Sequence, residues 1–296
     1  MGSVIKSLTR NQLIRPPAFV ENGTQYEVYM GSVAYGVSDD ISDVDIYGFC
    51  IPSKDTIFPH LRGVIPGFGK QIQRFEQYQQ HHVFEEGSER EYDLSIYSIV
   101  KYFQLCMENN PNMIDSLFVP DRCVAYMTPV GSMVRDNRHM FLHKGSFYKY
   151  KGYAHSQLHK CRTKKPEGKR KELIEKYGYD VKFAYHIKRL LLQIEQIMAE
   201  ETMDLQRNRE ELKAILRGEV LLEEVEKWKA EKELQLEKLY NESKLPYKPD
   251  ESKIKQLLID CLEEHFGSLS VVEYSEPDLV SKITNEIQGV INKYKR

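Results

Sequence analysis

The sequence predicts an α/β (α+β) protein in which a mixed sheet is followed by a helical domain. Three observations lead to this prediction. Short β-rich runs separated by glycines occupy the first part of the chain, helical periodicity dominates the rest, and two aspartates stand inside one apolar β-rich run. We therefore expect a first domain at residues 20–120, a helical domain at residues 121–296, and a substrate cleft between them.

The predicted strands of the first domain are four short runs with β-branched and aromatic residues. They read YEVYM, VDIYGFCI, HHVFEE and YDLSIYS. The segment EEGSER between the last two predicts a hairpin, so these two runs should pair antiparallel. Asp93 then lies near the start of a strand, and a helical pattern follows until the Asn-Asn-Pro of residues 109–111 stops it.

The predicted helices of the second domain follow from apolar spacing. One apolar stripe repeats every three or four residues, at Phe183, Ile187, Leu190, Ile194 and Ile197. The charged stretch at residues 208–241 predicts a pair of amphipathic helices, with a partner-binding coiled coil as the alternative. A Pro-containing linker at residues 245–251 leads to a last helix at residues 252–265.

Composition excludes several classes of protein. The 296 residues are 29% charged with a net charge of −2, and the sequence has no apolar run long enough to span a bilayer. We expect no membrane partner, and the absence of a secretory signal pattern makes the cytoplasm the expected location. Because the net charge is slightly negative, any contact with nucleic acid must be local.

The cysteines and histidines predict no disulfide framework and no zinc site. Five cysteines are scattered without a Cys-x-x-Cys spacing and are expected to be buried thiols. The pairs His81–His82 and His155–His159 lack further zinc ligands at a recognisable spacing.

The candidate site begins at Gly31–Ser32. A glycine at the end of a strand lets the backbone approach a phosphate closely, and the turn after it can direct N–H groups and a hydroxyl at an anion. Asp43 and Asp45 follow with one residue between them, so on a strand their carboxylates share one face. Such a pair repels unless a cation neutralises it, and oxygen ligands beside a phosphate-binding turn favour Mg²⁺.

A third carboxylate is needed to complete a two-metal phosphoryl-transfer site. Asp93, at the head of a neighbouring strand, suits this role. Glu91 stands two residues earlier, on the same face of the strand, and is the alternative.

The residues of this site resemble those of the DNA polymerase β nucleotidyltransferase superfamily. More narrowly, GSVAYGVSDDISDVDIYGF resembles the RNA-ligase-associated (RlaP/YcgL-like) family of nucleotidyltransferases, and the resemblance continues to about residue 220. It implies a polymerase-β-like fold. It also implies that Gly31 and Ser32 bind the triphosphate, that Asp43 and Asp45 bind two Mg²⁺ ions, or Mn²⁺ in their place, and that Asp93 completes the catalytic metal site.

Two cationic segments are candidates for substrate contact. Lys182 and Arg189 flank the apolar stripe, where they would grip the β and γ phosphates; a solvated helix face is the alternative. His186 lies between them and is expected to make an interdomain hydrogen bond. The basic run at residues 160–172 would serve as a flexible loop that contacts RNA, or as a solvated loop without that function.

The resulting functional hypothesis is a metal-dependent nucleotidyltransferase. It would transfer a nucleoside monophosphate from a nucleoside triphosphate to an acceptor hydroxyl and release pyrophosphate, and the resemblance suggests an RNA or tRNA end as the acceptor. The alternatives are a non-catalytic nucleotide- or RNA-binding module of the same fold, and an enzyme that modifies a protein or a small molecule.

Overall fold

A computed structural model describes residues 2–38, 43–71, 73–85, 90–163 and 168–267, with 283–284 and 287–288. In these residues the chain forms five strands: β1 (Thr24–Tyr29), β2 (Val44–Cys50), β3 (Gln77–Phe84), β4 (Glu91–Ser98) and β5 (Val124–Met127). The α-helices are α1 (Val4–Arg10), α2 (Ala18–Gly23), α3 (Gly31–Ala34), α4 (Lys54–Ile57), α5 (Ile99–Met107), α6 (Pro111–Leu117), α7 (Pro129–Asp136), α8 (Gly145–Thr163), α9 (Lys169–Tyr177), α10 (Val181–Glu200), α11 (Arg209–Leu216), α12 (Leu222–Glu242) and α13 (Glu251–Phe266).

The strands form one mixed sheet in the order β3-β4-β2-β1-β5. β2 and β4 pair in parallel, and the other neighbours pair antiparallel. The predicted antiparallel pairing of the third and fourth runs is confirmed, although residues 86–89 of the predicted turn lie outside the described part of the chain. The mixed sheet with a helical C-terminal part confirms the predicted fold class.

Alternation along the strands gives the sheet two buried faces. Ile46 of β2 and Leu94 of β4 face a small core with Ile5 and Val20 of the N-terminal helices. Phe49 of β2 and the neighbouring inward side chains face the larger core that the C-terminal helices complete. Asp45 and Phe49 are four residues apart on β2, and residues an even number apart on a strand share a face. The side chain of Asp45 therefore points to the face that the C-terminal helices cover.

The helical part follows the predicted periodicity. Each residue of the predicted apolar stripe in α10 is buried. The charged stretch forms the pair α11 and α12, and the last predicted helix is α13. β5 was not predicted, and it extends the sheet to residue 127. The predicted domain boundary at residue 120 stays a prediction.

The basic run at residues 160–172 differs from the predicted flexible loop. Residues 160–163 are the last turn of α8, and residues 169–172 are the first turn of α9. Residues 164–167 lie outside the described part of the chain. Most of the basic run therefore belongs to two helices, one on each side of this short connection.

Buried thiols are confirmed where the structure describes them. Cys50, Cys106, Cys123 and Cys261 are buried and free. None of the helices in the described ranges is both long and apolar enough to cross a membrane.

Candidate active site

Asp45 and Asp93 are direct neighbours across the parallel strands β2 and β4. Parallel partners in register point their side chains to the same face of the sheet, so the two carboxylates stand side by side. Asp43 lies two residues before Asp45, on the exposed approach to β2. The structure therefore brings together the carboxylates that the sequence could place only on separate strands.

Gly31 lies against the carboxylate of Asp45. It has a φ of +61°, and a Cβ added there would stand 2.0 Å from Oδ2 of Asp45. The approach is fixed by the backbone, because the N–H of Met30 donates to the carbonyl oxygen of Asp45 at 2.8 Å. Only glycine combines this φ with the space for the carboxylate. Gly31 and Ser32 begin α3, so the turn and the aspartates form one site.

The electrostatics of Asp45 are those of a carboxyl that lacks a counter-ion. Burial and, to a lesser extent, the negative charges of Asp93 and Asp43 together raise the pKa of Asp45 to about 6, against the opposing charges of His81 and Lys182. Side-by-side carboxylates of this kind are a recognised way to create a demand for a cation.

Two histidines missed as site residues lie beside Asp93. The register of β3 against β4 shifts between Gln80 and Val83, so His81 and His82 together oppose Asp93. Nδ1 of His81 lies 3.3 Å from Oδ1 of Asp93, and the backbone N–H of His82 donates to the same oxygen at 2.9 Å. A β-bulge of this kind redirects side chains next to active sites.

Glu91, the predicted alternative to Asp93, also faces this region. Its carboxylate is paired with Nδ1 of His82. Asp93 pairs in register with Asp45, whereas Glu91 lies two residues earlier on β4 and contacts His82. Of these two residues, Asp93 is the one that pairs in register with Asp45 and also contacts both histidines.

Lys182 lies at the start of α10 and is exposed. Its charge acts on Asp45, so Lys182 lies within electrostatic range of that carboxylate. Burial, together with the charges of Arg189, Arg170, Lys182 and Lys160, lowers the pKa of His186, on the next turn of α10, to about 3. His186 is therefore neutral at physiological pH and is surrounded by cations.

Arg189 is not available to bind phosphate. Its side chain is 4% exposed, and Nη1 donates to Oδ2 of Asp115 at 2.5 Å. The guanidinium also stacks on the ring of Tyr35, with 4.2 Å between its carbon and the ring centroid, and donates to the Tyr35 hydroxyl. Because the carboxylate of Asp115 on α6 supplies a buried counter-charge, Arg189 turns inward from the edge of the stripe.

The position of Arg189 gives it a structural connection to the turn at Gly31. Tyr35 follows α3 directly, and its hydroxyl donates to Asp115 at 2.5 Å. The side chain of Gln206 reaches the other end of the same turn, where its Nε2 donates to the carbonyl oxygen of Ala34 at 2.9 Å. The C-terminal helices thus hold the short helix that carries Gly31 and Ser32.

Such a sheet, with paired aspartates beside a glycine-serine turn, defines a protein of the DNA polymerase β class. The chain belongs to the RlaP family, the RNA repair pathway DNA polymerase beta family, whose model matches residues 17–260. The resemblance predicted from the motif is thereby confirmed. A comparison with curated proteins gives no significant match.

Proposed function

We propose that this protein is a metal-dependent nucleotidyltransferase that adds a nucleoside monophosphate to an RNA end and releases pyrophosphate. One observation carries the proposal: Asp45 pairs in register with Asp93 on parallel strands and lies directly against the positive-φ Gly31 that opens α3. Family membership supports a polymerase-β-like activity in RNA repair. The assignment of the metal, the donor and the acceptor is our inference from the geometry.

The donor set suits Mg²⁺, with Mn²⁺ as a substitute. Asp43, Asp45 and Asp93 would supply carboxylate oxygens only, which is the chemistry that Mg²⁺ prefers. Burial and the neighbouring carboxylates raise the pKa of Asp45, and a bound cation would favour its ionised form. When bound, two such ions would acidify the attacking hydroxyl and stabilise the charge that develops on the triphosphate.

The residues of the chain would orient a single displacement. The acceptor oxygen forms a bond to the α-phosphorus, while the bond from that phosphorus to the bridging oxygen of the β-phosphate breaks. The hydroxyl proton passes to Asp93, and the electron pair of the broken bond leaves with pyrophosphate. Gly31 and Ser32 would hold the phosphates through backbone N–H groups and a hydroxyl, and Lys182 would neutralise their outer charge.

RNA is the acceptor class that the surface favours. Lys160 and Lys182 are exposed cations that act on His186 of α10, and such charges suit contact with an RNA backbone. On the opposite face of the sheet, at the same end of the strands, lies a cleft of about 560 Å³. Its lining includes three tyrosines and two cations together with one acid, namely Tyr29, Tyr92, Tyr126, Lys6, Arg10 and Glu85. Tyrosines interleaved with cations suit stacked bases and a phosphate backbone.

The test is transfer of label from α-³²P nucleoside triphosphates to total cellular RNA and to total cellular protein. We expect labelled RNA and released pyrophosphate only when Mg²⁺ or Mn²⁺ is present. Asp43→Asn/Asp45→Asn should abolish both signals while the circular dichroism spectrum stays unchanged, and Asp260→Asn, an exposed Asp on α13, should have no effect.

Three outcomes would separate the alternatives. Label in protein alone would identify a protein modifier. Nucleotide or RNA binding without pyrophosphate release, for any acceptor and either metal, would identify a non-catalytic module. Retained transfer in the double variant would show that the aspartate pair is not the active site.

A further inference from the structure

A second cluster of metal-ligating side chains adjoins the aspartate pair. In the described part of the chain, one ligand atom from each of His82, Glu91 and Asp93 lies within 4.8 Å of the other two. The three aspartates Asp43, Asp45 and Asp93 do not form so close a set. The tightest metal-like geometry therefore includes an imidazole.

The bulge in β3 builds this cluster. His81 and His82 occupy the place opposite a single residue, Asp93, and His82 has a φ of +55°. Nδ1 of His82 meets the carboxylate of Glu91, whose side chain is 18% exposed, while the imidazole itself remains open to solvent. Two strands thus present a nitrogen and two carboxylates to the same point, with access from outside.

The spacing is close to that of ligands on one ion. With metal–ligand distances of about 2.0–2.2 Å, two ligand atoms on the same ion lie at most about 4.4 Å apart. The ligand types discriminate among ions, because imidazole suits transition metals, whereas Mg²⁺ prefers oxygen donors and retains several waters. An ordinary histidine–carboxylate ion pair explains the contact of His82 with Glu91. Asp93 is held at the same point by the backbone N–H of His82, which donates to its Oδ1 at 2.9 Å, so the bulge fixes all three side chains around one position.

We propose that His82, Glu91 and Asp93 bind a divalent transition-metal ion, with Mn²⁺ and Zn²⁺ as its representatives, at a site separate from the Asp43–Asp45 pair. The two sites share Asp93. The proposal is independent of nucleotidyl transfer, because it depends only on the ligand geometry. Its consequence is that an ion held at His82 competes for the carboxylate that the transfer reaction uses.

The test measures metal binding in a protein that lacks the aspartate pair. In the Asp43→Asn/Asp45→Asn variant, we expect one Mn²⁺ to bind, with ¹⁴N hyperfine coupling from an imidazole in its pulsed electron paramagnetic resonance spectrum. Zn²⁺ should bind more tightly than Mn²⁺ by isothermal titration calorimetry, following the usual order of affinities, and equimolar Mg²⁺ should displace neither.

Adding His82→Asn to that variant should remove the nitrogen coupling and weaken binding by more than about tenfold, since an inner ligand is lost. Asparagine is chosen because it tolerates a positive φ better than most residues. The matched control is His155→Asn, which changes an exposed histidine on α8 that pairs with Glu233.

Two results would overturn the proposal: an absence of nitrogen coupling in the double variant, or unchanged Mn²⁺ affinity after His82→Asn in a protein with an unaltered circular dichroism spectrum. Failure to transfer nucleotides would leave either result unaffected. The metal site and the proposed function can therefore fail separately.

Discussion

Replacing Asp45 with asparagine should stabilise the metal-free protein, although it removes a residue central to the proposed chemistry. The pKa of the Asp45 carboxyl rises from 3.8 to about 6 because it is buried and faces Asp93 and Asp43. A pKa that is higher in the folded state than in the unfolded state means that ionisation opposes folding. The neutral amide of asparagine avoids that cost.

The size and pH dependence of the effect follow from the two pKa values. Since one pKa unit corresponds to about 1.4 kcal/mol, ionising Asp45 costs the folded state roughly 3 kcal/mol at neutral pH. The cost is absent below about pH 4, grows between pH 4 and 6, and is complete above that range. Asp45→Asn should therefore raise Tm by several degrees at pH 7.5 and leave it nearly unchanged near pH 4.

The assay is thermal unfolding by circular dichroism in the presence of a chelator, from pH 4 to 8. Asp260→Asn, which changes an exposed aspartate on α13, serves as the control and should leave Tm unchanged at each pH. A second series with Mg²⁺ should raise the Tm of the unaltered protein more than that of Asp45→Asn, because bound ligand stabilises only the protein that binds it. Equal or lower stability of Asp45→Asn at pH 7.5 would refute the reasoning, as would a gain that does not vary with pH.

The remaining predictions concern the turn, the buried ion pair and the cation beside the site. Gly31→Ala should lower the unfolding free energy by about 1 kcal/mol or more in chemical denaturation and abolish pyrophosphate release, because the φ of +61° strains alanine and its Cβ, 2.0 Å from Oδ2 of Asp45, would displace that carboxylate. Arg189→Met should cost roughly 3–5 kcal/mol in urea unfolding by leaving the buried carboxylate of Asp115 without its cation, and adding Asp115→Asn should recover part of that loss. Lys182→Glu should raise KM for the nucleotide in steady-state kinetics with little change in Tm, whereas Lys238→Glu, on an exposed face of α12, should leave KM unchanged.

Each of these predictions has a distinct contrary result. Full pyrophosphate release by Gly31→Ala would mean that the turn does not approach the phosphates. A double variant of Arg189 and Asp115 that loses as much as the two single variants added together would show that the pair is not coupled. Equal KM values for Lys182→Glu and Lys238→Glu would place Lys182 outside the nucleotide site.

The elements with strong local patterns were predictable from the sequence. The two-residue period of β2 and the three-to-four spacing in α10 are local patterns, and they required no knowledge of the partner element. β5 was missed because it has only four residues, at Val124–Met127, and because its partner β1 lies about 100 positions earlier in the chain. A strand that short gains its stability from the pairing and carries little pattern of its own.

The sequence by itself predicted the donor-site residues: a glycine-serine turn, two aspartates with one residue between them, and a later strand carboxylate in that order. It determined the aspartate pair because the two-residue period of a strand is a local property. The parallel register that sets Asp45 beside Asp93, the bulge that turns two histidines toward Asp93, and the buried Asp115 that draws Arg189 inward were decided by the tertiary structure alone. Each of these features depends on a contact between segments that are far apart in the sequence. The free energy of such a contact comes from burial and strand pairing, which cannot be read from a short stretch of sequence.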